Sequence, residues 1–441
     1  MPDISVHVLA TLAPDAREKL LSRTEADLGP FIEKVLPIID AVAREGDTAL
    51  ARFAREFDKS PVTPDAIAAT PADFDAAFDA VDKEMIAVLE LAVDNVRRFH
   101  EAQMPEEMWM KEMAPGVFAG ERVNPIPSVA CYVPRGKGSF PSVVNMTVVP
   151  AIVAGVPQTI IVTPPGPDGK VDAATLVAAR LAGTERVYKC GGAQAVAAVT
   201  YGTETVPRCA KFVGPGSPWV VAAKRVLSDK IDPGPPAGPS ESIVLADATA
   251  NPRVVALDLL NESEHGPDSS AFLVTDSERL AEEVRAVIPQ YWAQMGAERT
   301  GYSQAVLCGA QGGIVVAPSM EEAIAFTNDY APEHLQVHST SPFDYLGALT
   351  NAGEILLGEH SAICLANYAV GPNAVLPTNA TAKTRSPLGV HDYLKMTSVV
   401  HLTEKGYDSL APKVHRFARY EGFDAHANAV SPLRKRAFEG R

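Results

Sequence analysis

Through the first ~110 residues, apolar side chains recur every three or four positions with charges between them, as in ARFAREFDKS and EMIAVLELAVDNVRRFHEAQM. That is the period of an amphipathic helix, so this stretch is read as helical and as packing material. From about residue 118 the texture changes. Short β-branched runs lead into small-residue helical stretches: SVVNMTVVPAIVAGV, TIIVTPPGPDG, AATLVAARLAG and RVYKCGGAQAVAAVTYG. Strand alternating with helix predicts a parallel sheet. A second series of the same kind runs from SIVLADATANPRVVALDLLNESEHG through SSAFLVTDSERLAEEVRAVI to GGIVVAPSMEEAIAFTNDYAPEHLQVH and GEILLGE. In TDSERLAEEV and APSMEEAIAF an Asp or Ser stands where a helix N-cap belongs. The two series are separated by DKIDPGPPAGPSES, whose Pro and Gly do not continue a helix. After about residue 380 the alternation stops, and the chain is read as a short helical tail with a basic, solvated ending, SPLRKRAFEGR. No repeat of fixed period is visible.

Length and charge narrow this picture. At 441 residues the chain has room for two to three domains. With 46% hydrophobic and 21% charged residues it has the make-up of a soluble globular protein. A net charge of -15 repels a nucleic-acid backbone or an anionic membrane, so neither is expected as a partner. The opening MPDISVHVLATLAPDAREKL lacks a basic region followed by an apolar core, and no segment approaches the ~18 to 20 apolar residues of a membrane span. A cytoplasmic protein is expected. The five cysteines (Cys131, Cys190, Cys209, Cys308, Cys364) are odd in number and form no CxxC pair, so they are read as buried thiols rather than a disulfide framework or a thiolate zinc site.

The common chemical signatures are missing: no GxGxxG after a strand, no GxxxxGK[ST], no GxSxG and no HExxH. What remains is four polar clusters, placed by the alternation in strand-to-helix loops, where α/β sheets bind ligands. In LLNESEHGPDSS, Glu262 and His265 share a helix face and can hold one cation. Read plainly, Glu262 is solvated and His265 caps the helix before Gly266. In NDYAPEHLQVH, Glu333 and His334 stand together after a helix-breaking proline, an acid-base pair suited to proton transfer or a common surface dipeptide. CLANYAVGPNAVLPT carries Asn367 and Asn373 in a tight irregular loop. YEGFDAHANAV brings Glu421 and His426 near the chain end, where surface polarity explains them equally well.

In this order and spacing, the clusters resemble the histidinol dehydrogenase family over about residues 30 to 430. The likeness rests on long strings: CYVPRGKGSFPS, GGAQAVAA, KFVGPGSPWVVAAKR, AGPSESIVLAD, EHGPDS, YAPEHLQV, NYAVGPNAVLPT and EGFDAHANAV. The resemblance implies an α/β fold of two incomplete Rossmann-like domains with parallel sheets, one inserted in the other, with a helical N-terminal segment and a C-terminal arm. In residue numbers this is a segment 1–27, a discontinuous catalytic and metal domain (28–130 with 241–385), an inserted NAD-binding domain (131–240) and a dimerisation arm (386–441) that completes the partner's site in a homodimer. It implies NAD and one zinc ion per subunit. Tyr132 and Gln194 match the family's cofactor contacts. Ser217 stands where the family has a cofactor-binding Asn. His334 matches the general base and Glu333 the group that activates water on the aldehyde. Ser240 and Glu421 match substrate contacts, and His265 and His426 match zinc ligands.

Three departures shift the expected chemistry. The remaining zinc ligands are Gln and Asp in the family and Glu262 and Asn367 here, so the carboxylate has moved while two His, one carboxylate and one amide remain. These four metal candidates, Glu262, His265, Asn367 and His426, also face the substrate in the family, as His334 does. A substrate-contacting His has become Ala374, which removes a hydrogen-bond partner worth ~1 to 3 kcal/mol. The expected activity is therefore zinc-dependent, NAD-linked oxidation of a small primary alcohol through the aldehyde to the carboxylate, on histidinol or a related amino-alcohol or polyol. Authentic histidinol oxidation and a non-catalytic, small-molecule-binding relative are the alternatives. Arg135, Lys137, Lys383 and Arg385 are candidates for an anionic group on the substrate, or simply solvated loop charges.

Overall fold

The computed structural model describes residues 3–23, 28–135, 138–235 and 238–439. The chain opens on a short strand, β1 (Val6–Val8), and passes through helices to a hairpin of β2 (Met108–Ala114) and β3 (Val117–Pro125). The first α/β series carries β4 (Ser128–Tyr132), β5 (Gln158–Thr163), β6 (Val187–Lys189) and β7 (Lys211–Val213). The second carries β8 (Glu241–Ala246), β9 (Ser270–Thr275), β10 (Gly312–Val316), β11 (His334–His338) and β12 (Glu354–Leu357), and β13 (Leu394–Leu402) precedes the last helices. Contacts group these elements into two compact units, one of Met1–Gln103 with Pro127–Tyr393 and one of Met104–Ile126 with Leu394–Arg441.

The first unit contains two wholly parallel sheets, ordered β1-β10-β9-β8-β11-β12 and β6-β5-β4-β7. Parallel strands need helical crossovers and so are buried on both faces. The larger sheet obeys this. Val244, Leu273 and Ile314 pack on one side against Leu259, Val284 and Trp292, while Ile243, Phe272, Leu335 and Val337 pack on the other against Phe326 and Tyr330. Strand alternation then turns His334, Gln336 and His338 to the face away from Phe326. Ser277 and Ser319 cap their helices by accepting the amides of Leu280 and Glu322, as the sequence pattern predicts. The five cysteines are free thiols, three of them fully buried.

Three features differ from the expected layout. The N-terminal segment is not wholly helical, because Val6–Val8 extends the larger sheet beside β10. The helices Gly29–Glu45 and Asp47–Phe57, grouped in sequence with the larger sheet, share a core with the smaller one, where Val35, Ile39, Val42 and Leu50 meet Ala130, Val162 and Phe212. Beyond residue 380 the chain is more than a tail. In the second unit β13 pairs antiparallel with β3, which pairs with β2, and helices Glu404–Tyr420, Asp424–Ala429 and Pro432–Glu439 follow. The alternation in LKMTSVVHL goes unnoticed because its partner lies over 270 positions earlier in sequence.

Candidate functional site

The order of strands in the smaller sheet reverses between β4 and β7, and in open α/β sheets the crevice outside the strands' carboxyl ends at such a point receives a ligand. The three candidate cofactor residues gather around that edge. Tyr132 ends β4, Gln194 lies in the first turn of the Gly192–Tyr201 helix after β6, and Ser217 is the N-cap residue of the Pro218–Val226 helix after β7. Tyr132 and Gln194 are buried, and the Tyr132 hydroxyl accepts the Gly192 amide at 3.2 Å. Backbones approach closely here. Gly214 has φ +118°, and a Cβ on it would stand 2.3 Å from the Tyr132 carbonyl oxygen. Gly214→Ala is expected to cost about 1 to 3 kcal/mol and to weaken nucleotide binding, read by thermal melting with and without NAD.

The other clusters do not sit in strand-to-helix loops. His334 opens β11 with Glu333 just before it, Ser240 precedes β8, Glu262 lies in the last turn of the helix Pro252–Ser263 and His265 just beyond its cap, so all lie at the amino edge of the larger sheet. The reason is geometric: a crossover helix runs antiparallel to its strands, so its C-terminus returns to their beginnings. The negative ends of two helices, Pro252–Ser263 and Met320–Tyr330, thus come to the same edge, an arrangement that favours cations.

His334 is buried, with its Nδ1 2.5 Å from Glu354 Oε1 and its Nε2 3.9 Å from Glu333 Oε1. Glu333 Oε2 accepts the Glu241 amide at 3.0 Å. Burial pushes the Glu333 carboxyl up to about 8 against the pull of His334. Burial works against a charged His334 as well, but the surrounding carboxylates, Glu262 first, outweigh it and raise the imidazole above its ordinary value. An unfolded imidazole releases its proton near 6.5 and the folded one at higher pH, so this group's contribution to stability is complete below about 6.5 and lost as pH climbs above it. Glu333, held neutral to about 8, acts in the same direction. With chelator present, the protein is expected to melt at a lower temperature at pH 9 than at pH 6, and His334→Gln should flatten that dependence.

Of the candidate metal ligands, Glu262 and His265 are brought together. Glu262 is 1% exposed, its Oε1 accepts the Asn261 side-chain amide, and its Oε2 stands 3.3 Å from His265 Nδ1 without a hydrogen bond of its own. The two are neighbours although the helix ends at Ser263 and His265 lies beyond its cap. Asn367 lies in a π turn, Ala366–Val370, with a buried and unpartnered Oδ1. Two buried side-chain oxygens without partners fit a missing cation, because a group left so is otherwise costly. Glu421 and His426 are exposed residues of the second unit. Among the described residues, no group of three or more His, Cys, Asp or Glu is placed to hold a metal. Asn373 is instead a structural tie, its amide donating to the Met146 carbonyl and its oxygen accepting the Val375 amide. Ala374 is half-buried beside it. Arg385 lines a cavity of about 470 Å³ together with Glu354, Arg135 and Lys383 are exposed, and Lys137 lies outside the described residues.

A family model described as histidinol dehydrogenase matches residues 21–434. The chain belongs to the histidinol dehydrogenase family. Histidinol dehydrogenases are NAD- and zinc-using oxidoreductases that act on CH–OH groups. This chain is 61% identical over 436 residues to a histidinol dehydrogenase homolog of Colwellia psychrerythraea, covering 99% of this chain and 98% of that one. It is 44% identical over 422 residues to the histidinol dehydrogenase of Synechocystis sp., covering 96% and 97%. A crystal structure of histidinol dehydrogenase from Elizabethkingia anophelis matches with a TM-score of 0.93 at 32% identity, covering 99% of both chains. The α/β architecture with parallel sheets is therefore the histidinol dehydrogenase fold.

Two residues at the amino edge escaped the sequence reading. Glu241, in the quoted string GPSES, pairs with Arg23 and supports Glu333 through its own amide. Glu354 opens β12 and meets His334 across the ladder. The available signal was a carboxylate at the head of an apolar strand, GEILL, next in sequence to the strand that carries the acid-base pair.

Among the described residues, no helix is long and apolar enough to cross a membrane.

Proposed function

We propose that the chain is a zinc-dependent, NAD-linked dehydrogenase that oxidises a small primary alcohol through the aldehyde to the carboxylate. The substrate is histidinol or a related amino-alcohol or polyol. The observation that carries this reading is His334, buried between Glu354 and Glu333 on the edge where Glu262 and His265 meet. In the proposed division of labour, the smaller sheet, most of which falls in the 131–240 segment, binds NAD through Tyr132, Gln194 and the helix start at Ser217. The larger sheet binds substrate and metal. His334 Nε2 takes the hydroxyl proton as hydride leaves the carbinol carbon. Glu333 takes a proton from water as that water adds to the aldehyde, and the hydrate loses a second hydride. NAD, when bound, would accept both hydrides, two NAD for each alcohol carried through to the carboxylate. Glu262, His265, Asn367 and His426 would hold the zinc, which when bound polarises the substrate oxygen.

The second unit supports assembly as a homodimer. Val414, Phe417, Tyr420 and Phe423 are exposed on and just after the Glu404–Tyr420 helix, an apolar set of the kind that marks an interface. We assign Glu421 and His426 of one copy to the site of its partner. Ala374 lacks the hydrogen-bonding contact that the family makes there, which favours a relative of histidinol over histidinol itself.

Purified protein with zinc and NAD, followed at the NADH absorbance while histidinol and a panel of amino-alcohols and diols are added, tests the reading. NADH with a panel member in preference to histidinol supports it. Histidinol as the fastest substrate would identify an authentic L-histidinol dehydrogenase of histidine biosynthesis. No NADH with any of them, alongside substoichiometric zinc, would leave a non-catalytic binding relative.

A further inference from the structure

His334 has two ring nitrogens, and a neutral imidazole carries a proton on one of them only. Which one decides whether the ring can act as a base toward the substrate side. β11 and β12 run parallel with His334 opposite Glu354. That register is pinned at its start, where Gly353 donates its amide to Pro332 and Glu354 donates its amide to Glu333. The approach is tight enough that a Cβ on Gly353 would stand 2.5 Å from the Glu333 carbonyl oxygen. The Glu354 side chain is thereby delivered to Nδ1, at 2.5 Å, with both side chains more than nine-tenths buried.

We propose that Glu354 is a positioning residue: its carboxylate holds the His334 ring as the Nδ1–H tautomer and so leaves Nε2, the nitrogen on the Glu333 side, free to accept a proton. The assignment rests on the reading of His334 as the base. A carboxylate only accepts hydrogen bonds, so the proton between it and Nδ1 belongs to the ring. The same negative charge steadies the imidazolium that forms when Nε2 is protonated. A glutamine in its place can turn its amide toward Nδ1 and select the opposite tautomer. Glu354 also lines the cavity of about 470 Å³ that includes Phe99, Arg385 and His391, so the space left by removing its side chain adjoins a void that a small carboxylate can enter.

The test compares the full-length wild-type protein with Glu354→Ala, Glu354→Gln and Glu354→Asp. Expected are a fall in kcat of about 10²- to 10⁴-fold for the Ala and Gln variants with KM within about threefold, and partial recovery for Asp. Added formate should restore part of the Ala variant's kcat in a saturable way. Proton NMR should show a far-downfield Nδ1–H resonance that vanishes in Glu354→Ala and in His334→Gln. A kcat for Glu354→Gln within threefold of wild type, or a downfield resonance unchanged in Glu354→Ala, would overturn the proposal. Full activity in His334→Gln would instead refute the base assignment, while the resonance still reports on Glu354.

Discussion

His334→Ala is expected to lower the rate of the first oxidation by about 10²- to 10⁴-fold, the usual worth of a positioned general base. The ring is buried and hydrogen-bonded on one nitrogen, so no water or neighbouring side chain stands ready to replace it. Glu333 differs. It touches His334 only at 3.9 Å and is oriented from behind by the Glu241 amide. Glu333→Gln is therefore expected to spare the first hydride transfer and to slow the second, in which water must be activated. Supplying the alcohol and the aldehyde separately, with single-turnover NADH formation as the readout, separates the two steps. Equal loss of both would contradict the division of labour. Since the Glu333 carboxyl is held up to about 8, the aldehyde step should also accelerate with pH through that region, as its ionised fraction grows.

The second large effect concerns stability. Arg23 and Glu241 form an ion pair at 2.9 Å with each side chain 6% exposed. The Arg23 guanidinium also donates to the Leu21 and Tyr330 carbonyls and lies 3.3 Å from the Tyr330 ring centroid. Burial raises the Glu241 carboxyl, and Arg23 is the main charge that opposes this, ahead of His334. Removing one partner of a buried pair leaves the other uncompensated, so Arg23→Ala is expected to cost about 3 to 5 kcal/mol, read as a lower denaturant midpoint. Combining Arg23→Met with Glu241→Gln should recover much of the loss, because no naked charge is then buried. A single-variant loss below about 1 kcal/mol would show the pair to be incidental. The amide that Glu241 donates to Glu333 is its main-chain N–H, which these side-chain variants retain.

The alternating α/β texture was legible because buried parallel strands and their crossover helices carry strong local periods, and the serine caps of two helices sit where the pattern puts them. Which edge of the sheet each cluster occupies was not. That depends on helix direction relative to the strands, and Glu333-His334 reads alike at either end of β11. Glu262 and His265 were found as a pair by spacing, although their proximity comes from a helix end rather than a continuous helix face. Glu354 and Arg23 were invisible for a different reason. Each meets its partner across 20 or 218 positions of sequence, and no local pattern encodes a register between two strands or the docking of an N-terminal residue beneath a sheet.

β12 lies at the rim of the larger sheet and pairs with β11 on one side only. A border strand has half the ladder of an interior one, so its head is held by what it meets on the β11 side, Glu333 and His334. The residue proposed to set the state of the base is thus mounted on a strand with a single neighbour in the sheet. For redesign, position 354 forms a control point at which reactivity can be tuned by mutagenesis while the smaller sheet is left alone.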